Sequence, residues 1–122
     1  MAEVDRIAKC VELCFPSVMI SMSGDEFTSS IVADNEDGSF HMCILIYPIS
    51  EKFDVDIYYI YLPKEQQRQG LFSKFVHSLC DIPNIYRIII SSIVTESMHA
   101  WCDVNGFIDR MPEDENTRYF TV

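Results

Sequence analysis

Apolar and polar positions alternate along this chain in two distinct grammars. Near the N-terminus, Val4, Ile7, Ala8, Val11 and Leu13-Cys14 recur close to every 3.6 residues, which predicts a helix over 2–13 that ends at Pro16. Glu3 and Asp5 stand in its first turn, where the helix dipole favours them. Short apolar segments follow, separated by turn residues: a strand over 18–22, the turn Ser23-Gly24-Asp25, a strand over 27–33, the hairpin signal Asn35-Glu36-Asp37-Gly38, and a returning strand over 40–47 that Pro48 is expected to break. Residues 53–62 read as a long strand rich in β-branched and aromatic residues, ended by Pro63.

The pattern then changes. Gly70 opens a helix over 71–80, with Leu71, Phe72, Phe75, Val76 and Leu79 on one side. Residues 85–94 are almost continuously apolar, as in a strand covered on both faces. A helix over 96–104 stops at Asn105-Gly106, and a last strand is expected over 118–122. A helix between the strands at 53–62 and 85–94 makes that pair parallel. The expected fold is an α/β domain over 1–122: a mixed sheet, an antiparallel meander followed by a parallel strand-helix-strand unit, with helices on both faces.

Composition narrows the chemistry. The chain has 122 residues, 19 acidic against 9 basic, for a formal net charge of -10. Nucleic-acid binding is not expected, because tracking phosphates requires Lys and Arg to displace counterions. No apolar run reaches the roughly 18 residues of a spanning helix, so no membrane role is expected. The start lacks a basic-apolar leader, and a cytoplasmic protein with five reduced cysteines is expected. His41, His77 and His99 have no ligand spacing with one another or with the cysteines, so no metal is expected. Charge is uneven: -6 over 1–40, zero over 41–80 and -4 over 81–122. The neutral middle third holds Lys52, Lys64, Arg68 and Lys74, and is the place to look for an anion site.

Residues 62–74 carry the most chemistry. A strand end, a polar loop, Gly70 and a helix start follow in order. The first N–H groups of a helix lack partners within it and collect partial positive charge. Glycine lets backbone approach a ligand closely, so the arrangement suits a phosphate-sized anion. Neither the P-loop pattern nor the dinucleotide fingerprint is present.

With its flanks, this segment resembles the GNAT N-acetyltransferase family. Gln67-Arg68-Gln69-Gly70-Leu71-Phe72 stands where that family carries [QR]-x-x-G-x-[GA], and the likeness runs on through the strand from Tyr86, the helix holding Ser97 and Asn105-Gly106-Phe107. The resemblance implies an acetyl-CoA site and no metal. Backbone N–H groups of Arg68, Gln69, Gly70, Leu71 and Phe72 would hold the diphosphate, with Gln67 at the loop entrance. The strand edge at Ile60, Tyr61 and Leu62 would pair with the pantetheine amides, and Arg68 or Lys74 would meet the ribose phosphate. Thr95, where the family often has asparagine, would offer its hydroxyl to the pantetheine arm.

The implied reaction is direct attack by an amine on the thioester, which requires a base. Asp56 stands where some members place a glutamate, on the same strand face as Asp54 and Tyr58. Two departures from the family pattern are Phe72, in place of Gly or Ala, and Cys102, in place of the general-acid tyrosine. Cys102 is a proton donor to the leaving thiolate, a nucleophile or a packed cysteine. The acidic surface favours a basic acceptor, a protein lysine or a polyamine-like amine. The alternative is a non-catalytic module of the same fold that engages a basic protein partner.

Overall fold

The computed structural model describes residues 2–16, 18–24, 28–61, 70–91, 93, 96–111 and 114–122. A seven-stranded mixed sheet runs through it, in the order β1 (Met19–Gly24), β2 (Ser29–Asp34), β3 (His41–Ile49), β4 (Lys52–Tyr61), β5 (Ile85–Ile90), β7 (Asp114–Thr121), β6 (Ile108–Met111). The helices are α1 (Ala2–Cys14), α2 (Leu71–Cys80) and α3 (Glu96–Val104). β1 to β4 form the antiparallel meander, β4 and β5 are the parallel pair, and β7 returns antiparallel to β5.

The α1 stripe is buried as its period requires: Val4, Ile7, Ala8, Val11 and Cys14 all face the core, whereas Leu13 lies off the stripe and is exposed. The β2–β3 hairpin is held by its own turn chemistry. Gly38 takes a positive φ of 74°, the Phe40 N–H donates to Asn35 Oδ1 at 3.0 Å, and the Ser39 hydroxyl donates to Asp37 Oδ1 at 2.6 Å. Those Ser39 bonds hold the Asp37 carboxyl below its ordinary value.

One core lies on one face of the sheet. Ile31 and Ala33 of β2, Met42, Ile44 and Ile46 of β3, Val55 and Ile57 of β4, and Ile88 and Ile90 of β5 point into it. Phe15 after α1 packs on Phe40 and on Phe75 of α2, with ring centroids 4.9 and 5.8 Å apart. Trp101 of α3 packs on Phe72 of α2 at 4.8 Å and gives its indole N–H to Ser73 Oγ at 2.7 Å. Asp103 of α3 pairs with Arg118, which shares this face with Ile90 through their register in β5 and β7.

Helices were expected on both faces; all three described helices instead contribute to this single layer. The opposite face carries Cys43, Asp54, Asp56, Tyr58, Arg87 and Ile89, with Tyr47 alongside. Ile89 is buried there in a groove shared with Tyr47 and Arg87, and no described helix covers it. The apolar residues of β5 on this face are thus covered by long neighbouring side chains among the described residues.

Three further boundaries differ from the pattern-based reading. β3 runs through Pro48 to Ile49 and turns at Ser50-Glu51. Pairing with β2 stops at Ile46, so Pro48 lies where one side of the strand has no ladder to supply. β5 ends at Ile90, not residue 94. β6 was not expected; it is a four-residue edge strand hidden in a charged stretch, and β7 begins earlier than residue 118.

Candidate functional site

The parallel pair opens into a fork. β4 and β5 stay in register as far as Ile57 and Ile90, and the Ser91 N–H still donates to the Ile57 carbonyl at 3.1 Å. Among the described residues, β4 then continues through Tyr61 paired on its β3 side only. The register shift between Cys43 and Ile44 sets Tyr59 opposite Cys43 and Ile57 opposite Ile44, which leaves Tyr58 as the extra residue of a bulge in β4. A bulge bends its strand and frees backbone from the ladder. The stretch expected to pair with a pantetheine arm thus has an open backbone edge at Ile60 and Tyr61 on its β5 side.

Residues 62–69 lie outside the described residues, and with them Leu62, Gln67, Arg68 and Gln69; Thr95 does too. The description resumes at Gly70, the N-cap of α2, in the left-handed region with φ 69° and ψ 14°. Its carbonyl accepts the Lys74 N–H at 3.0 Å, closing the first helical turn. Gly70 supplies no capping side chain, and an added Cβ there would meet nothing within 4 Å. The amides of Leu71, Phe72 and Ser73 are the first of the helix, where no earlier helical carbonyl is available to them.

Phe72, the first departure from the family pattern, is 6% exposed and turned into the core against Trp101 and Phe75. Its ring does not stand over the helix end. The Leu71 side chain also packs against the core. Lys74 is exposed and sits close enough to α1 for its charge to act on Cys14. Cys102, the second departure, is fully buried in the helix-side core, where burial pushes its thiol up to about 11. A substrate has no surface of that thiol to touch.

Asp54 and Asp56 share the helix-free face but differ in partners. Asp54, 2% exposed, is gripped by Arg87: Nε donates to Oδ1 at 3.2 Å and Nη2 to Oδ2 at 2.5 Å. The bond to Asp54 raises the Arg87 guanidinium further above its ordinary value. Asp56, 7% exposed, accepts the Ser91 hydroxyl at 2.8 Å, at the point where the fork opens.

A second constellation lies one strand away. Asp34 of β2 and His41 of β3 are cross-strand partners, and Asp34 Oδ1 contacts His41 Nδ1. His41 Nε2 lies 3.1 Å from Cys43 Sγ. Tyr58 hydrogen-bonds Cys43, the largest cause of a Tyr58 phenol held above its ordinary value. These residues, with Gly38, Tyr59 and Tyr61, line a shallow groove of about 470 Å³. Sequence reasoning excluded His41 only as a metal ligand and left Cys43 as one of five reduced cysteines. The signal was present in the hairpin turn, which pairs residue 34 with residue 41, and in the strand period, which sets residue 43 beside 41.

No protein-family model matches the chain, and comparison with curated proteins finds no match. Among the described residues, no group of three or more His, Cys, Asp or Glu is arranged to hold a metal ion, and no helix is long and apolar enough to cross a membrane.

Proposed function

We propose that this chain is an acyl-CoA-dependent N-acyltransferase that moves an acetyl group from acetyl-CoA to a primary amine of a basic acceptor. The observation that carries this reading is the fork: among the described residues β4 outruns β5, and the helix that follows is entered through a left-handed Gly70 with no side chain to cap it. A thioester-bearing arm seats along the free edge at Ile60 and Tyr61 as an added strand would. Its diphosphate rests on the amides that start α2, where unpartnered N–H groups and the helix dipole act together. The burial of Phe72 supports this placement, since the ring is turned into the core and does not stand over the start of α2.

The chemistry follows from the residues around the fork. An ammonium has no lone pair, so a base must take a proton before attack. Asp56 stands at the opening and is oriented by the Ser91 hydroxyl; Asp54 is committed to Arg87. Asp56 takes one proton from the ammonium, the freed amine nitrogen bonds to the thioester carbon, the C–S bond breaks, and the second nitrogen proton passes to the departing sulfur, so CoA leaves as the thiol. The net charge of -10 draws a cationic acceptor, such as a protein lysine or a polyamine.

Release of free CoA thiol from acetyl-CoA in the presence of amines tests this reading. Turnover with at least one basic amine, abolished by Gly70→Trp in a variant that still folds, is the expected result. No thiol release and no acetyl-CoA binding would favour the non-catalytic module that engages a basic protein through its acidic surface.

A further inference from the structure

We propose that Cys43, His41 and Asp34 form a nucleophilic relay on the helix-free face, and that Cys43 takes an acyl group from activated esters or thioesters seated against Tyr59 and Tyr61. This inference does not rest on the acyl-CoA reading, since it uses the side chains of β4 and neither its open backbone edge nor Gly70.

The protonation states follow from hydrogen-bond chemistry. A carboxylate only accepts, so Asp34 fixes the His41 proton on Nδ1. That leaves the Nε2 lone pair facing the Cys43 thiol at 3.1 Å. A nucleophile, a base and a group that orients the base thus stand in line, as covalent catalysis requires. The two partners sit at opposite ends of the imidazole ring, which suits proton relay and not convergence on a metal.

The surroundings are selective for this thiol. The groups facing Cys43 are His41 on its own strand, Asp34 from β2, and Tyr58, Tyr59 and Tyr61 from β4, with Asp56 and Tyr47 acting on Tyr58 from beyond. Among the described residues no Lys or Arg lines the groove, and protonated His41 is a countercharge there for a Cys43 thiolate. Tyr58 adds a hydrogen bond to the sulfur. Cys10 and Cys80, by contrast, stand near Asp81 and are held protonated by burial and that charge. The Tyr59 and Tyr61 rings are about half exposed, at 48% and 56%, and give a flat acyl or aryl group an apolar wall.

In the reaction, the Cys43 proton passes to His41 Nε2 and Sγ bonds to the carbonyl carbon. The C–O or C–S bond to the leaving group breaks, and that group departs with the electron pair and takes the His41 proton where it needs one. The product is a thioester on Cys43. Water then attacks the same carbon with His41 as base, releasing the acid and restoring the thiol.

The test measures iodoacetamide alkylation of each cysteine in the whole chain by peptide mass spectrometry at about pH 6.5, where an unperturbed thiol is almost entirely protonated. Cys43 should react at least about tenfold faster than Cys10 and Cys80. His41→Gln should remove that advantage, and Asp34→Ala should reduce it more than Asp34→Glu. With p-nitrophenyl acetate, the wild-type chain should release a burst of nitrophenolate and carry one acetyl group on Cys43. Equal rates at Cys43, Cys10 and Cys80 in the wild-type chain, or an acetyl group found elsewhere, would overturn the proposal. The wild-type comparison decides the matter even where His41→Gln fails to fold.

Discussion

Arg87→Ala is the substitution whose cost the structure specifies best. The Asp54 side chain is 3% exposed and the Arg87 side chain 25% exposed, and the two are cross-strand partners in the parallel β4–β5 pair. Both Asp54 oxygens accept from the guanidinium, which also lies over the Tyr86 and Tyr119 rings at 5.4 and 5.7 Å. Removing one partner strands a charge that has already lost its water, which costs about 3–5 kcal/mol. The partial exposure of Arg87 places this site near the lower end, at about 3 kcal/mol. With a urea slope of about 2 kcal/mol per molar, the unfolding midpoint should fall by about 1.5 M. Asp54→Leu combined with Arg87→Met leaves no unpaired charge, and should recover to within about 1 kcal/mol of wild type. Circular dichroism in urea reads both changes. A loss under about 1 kcal/mol in Arg87→Ala, or a double variant as unstable as the single one, would refute the view that this pair braces β4 against β5.

Two further expectations concern Cys102 and Gly70. The Cys102 thiol is raised from its ordinary 9.0 to about 11 in the folded chain, so its contribution is fully present below about pH 9 and is lost as pH rises through about 11; the gap in unfolding free energy between wild type and Cys102→Ala should narrow by about 2–3 kcal/mol over that window, and a constant gap would contradict complete burial. At Gly70, φ is 69° with open space around an added Cβ, so Gly70→Val should cost about 1–2 kcal/mol through backbone conformation alone and Gly70→Asn less, read as shifts in thermal midpoint, and equal costs would argue against the left-handed geometry.

Much of the fold was legible because its strands follow local rules. The Asn35–Gly38 hairpin, the α1 stripe and the parallel crossover through α2 each carry their own signal in periodicity or turn chemistry. What was missed depended on neighbours. Pro48 is tolerated in β3 because β2 has already ended, and the four residues of β6 become a strand only by pairing with β7. The expected second helical layer failed for a similar reason: an apolar run reports burial without saying what covers it. At the site, burial separated residues that looked alike in sequence. Asp54 and Asp56 have the same strand periodicity, yet one is locked to Arg87 and the other stands at the fork with Ser91. Cys102 was singled out by its place in the family pattern and Cys43 was not; the structure seals Cys102 in the core and sets Cys43 in a groove with His41.

The central claim is that a diphosphate-bearing acyl donor seats where β4 leaves β5 and α2 begins. Isothermal titration of the whole chain with acetyl-CoA, alongside acetyl-pantetheine, which lacks the diphosphate, tests it most directly. The account predicts saturable binding of acetyl-CoA at one site per chain, at least about tenfold tighter than acetyl-pantetheine, a difference of about 1.4 kcal/mol. Absence of binding, or equal affinity for the two compounds, would contradict it.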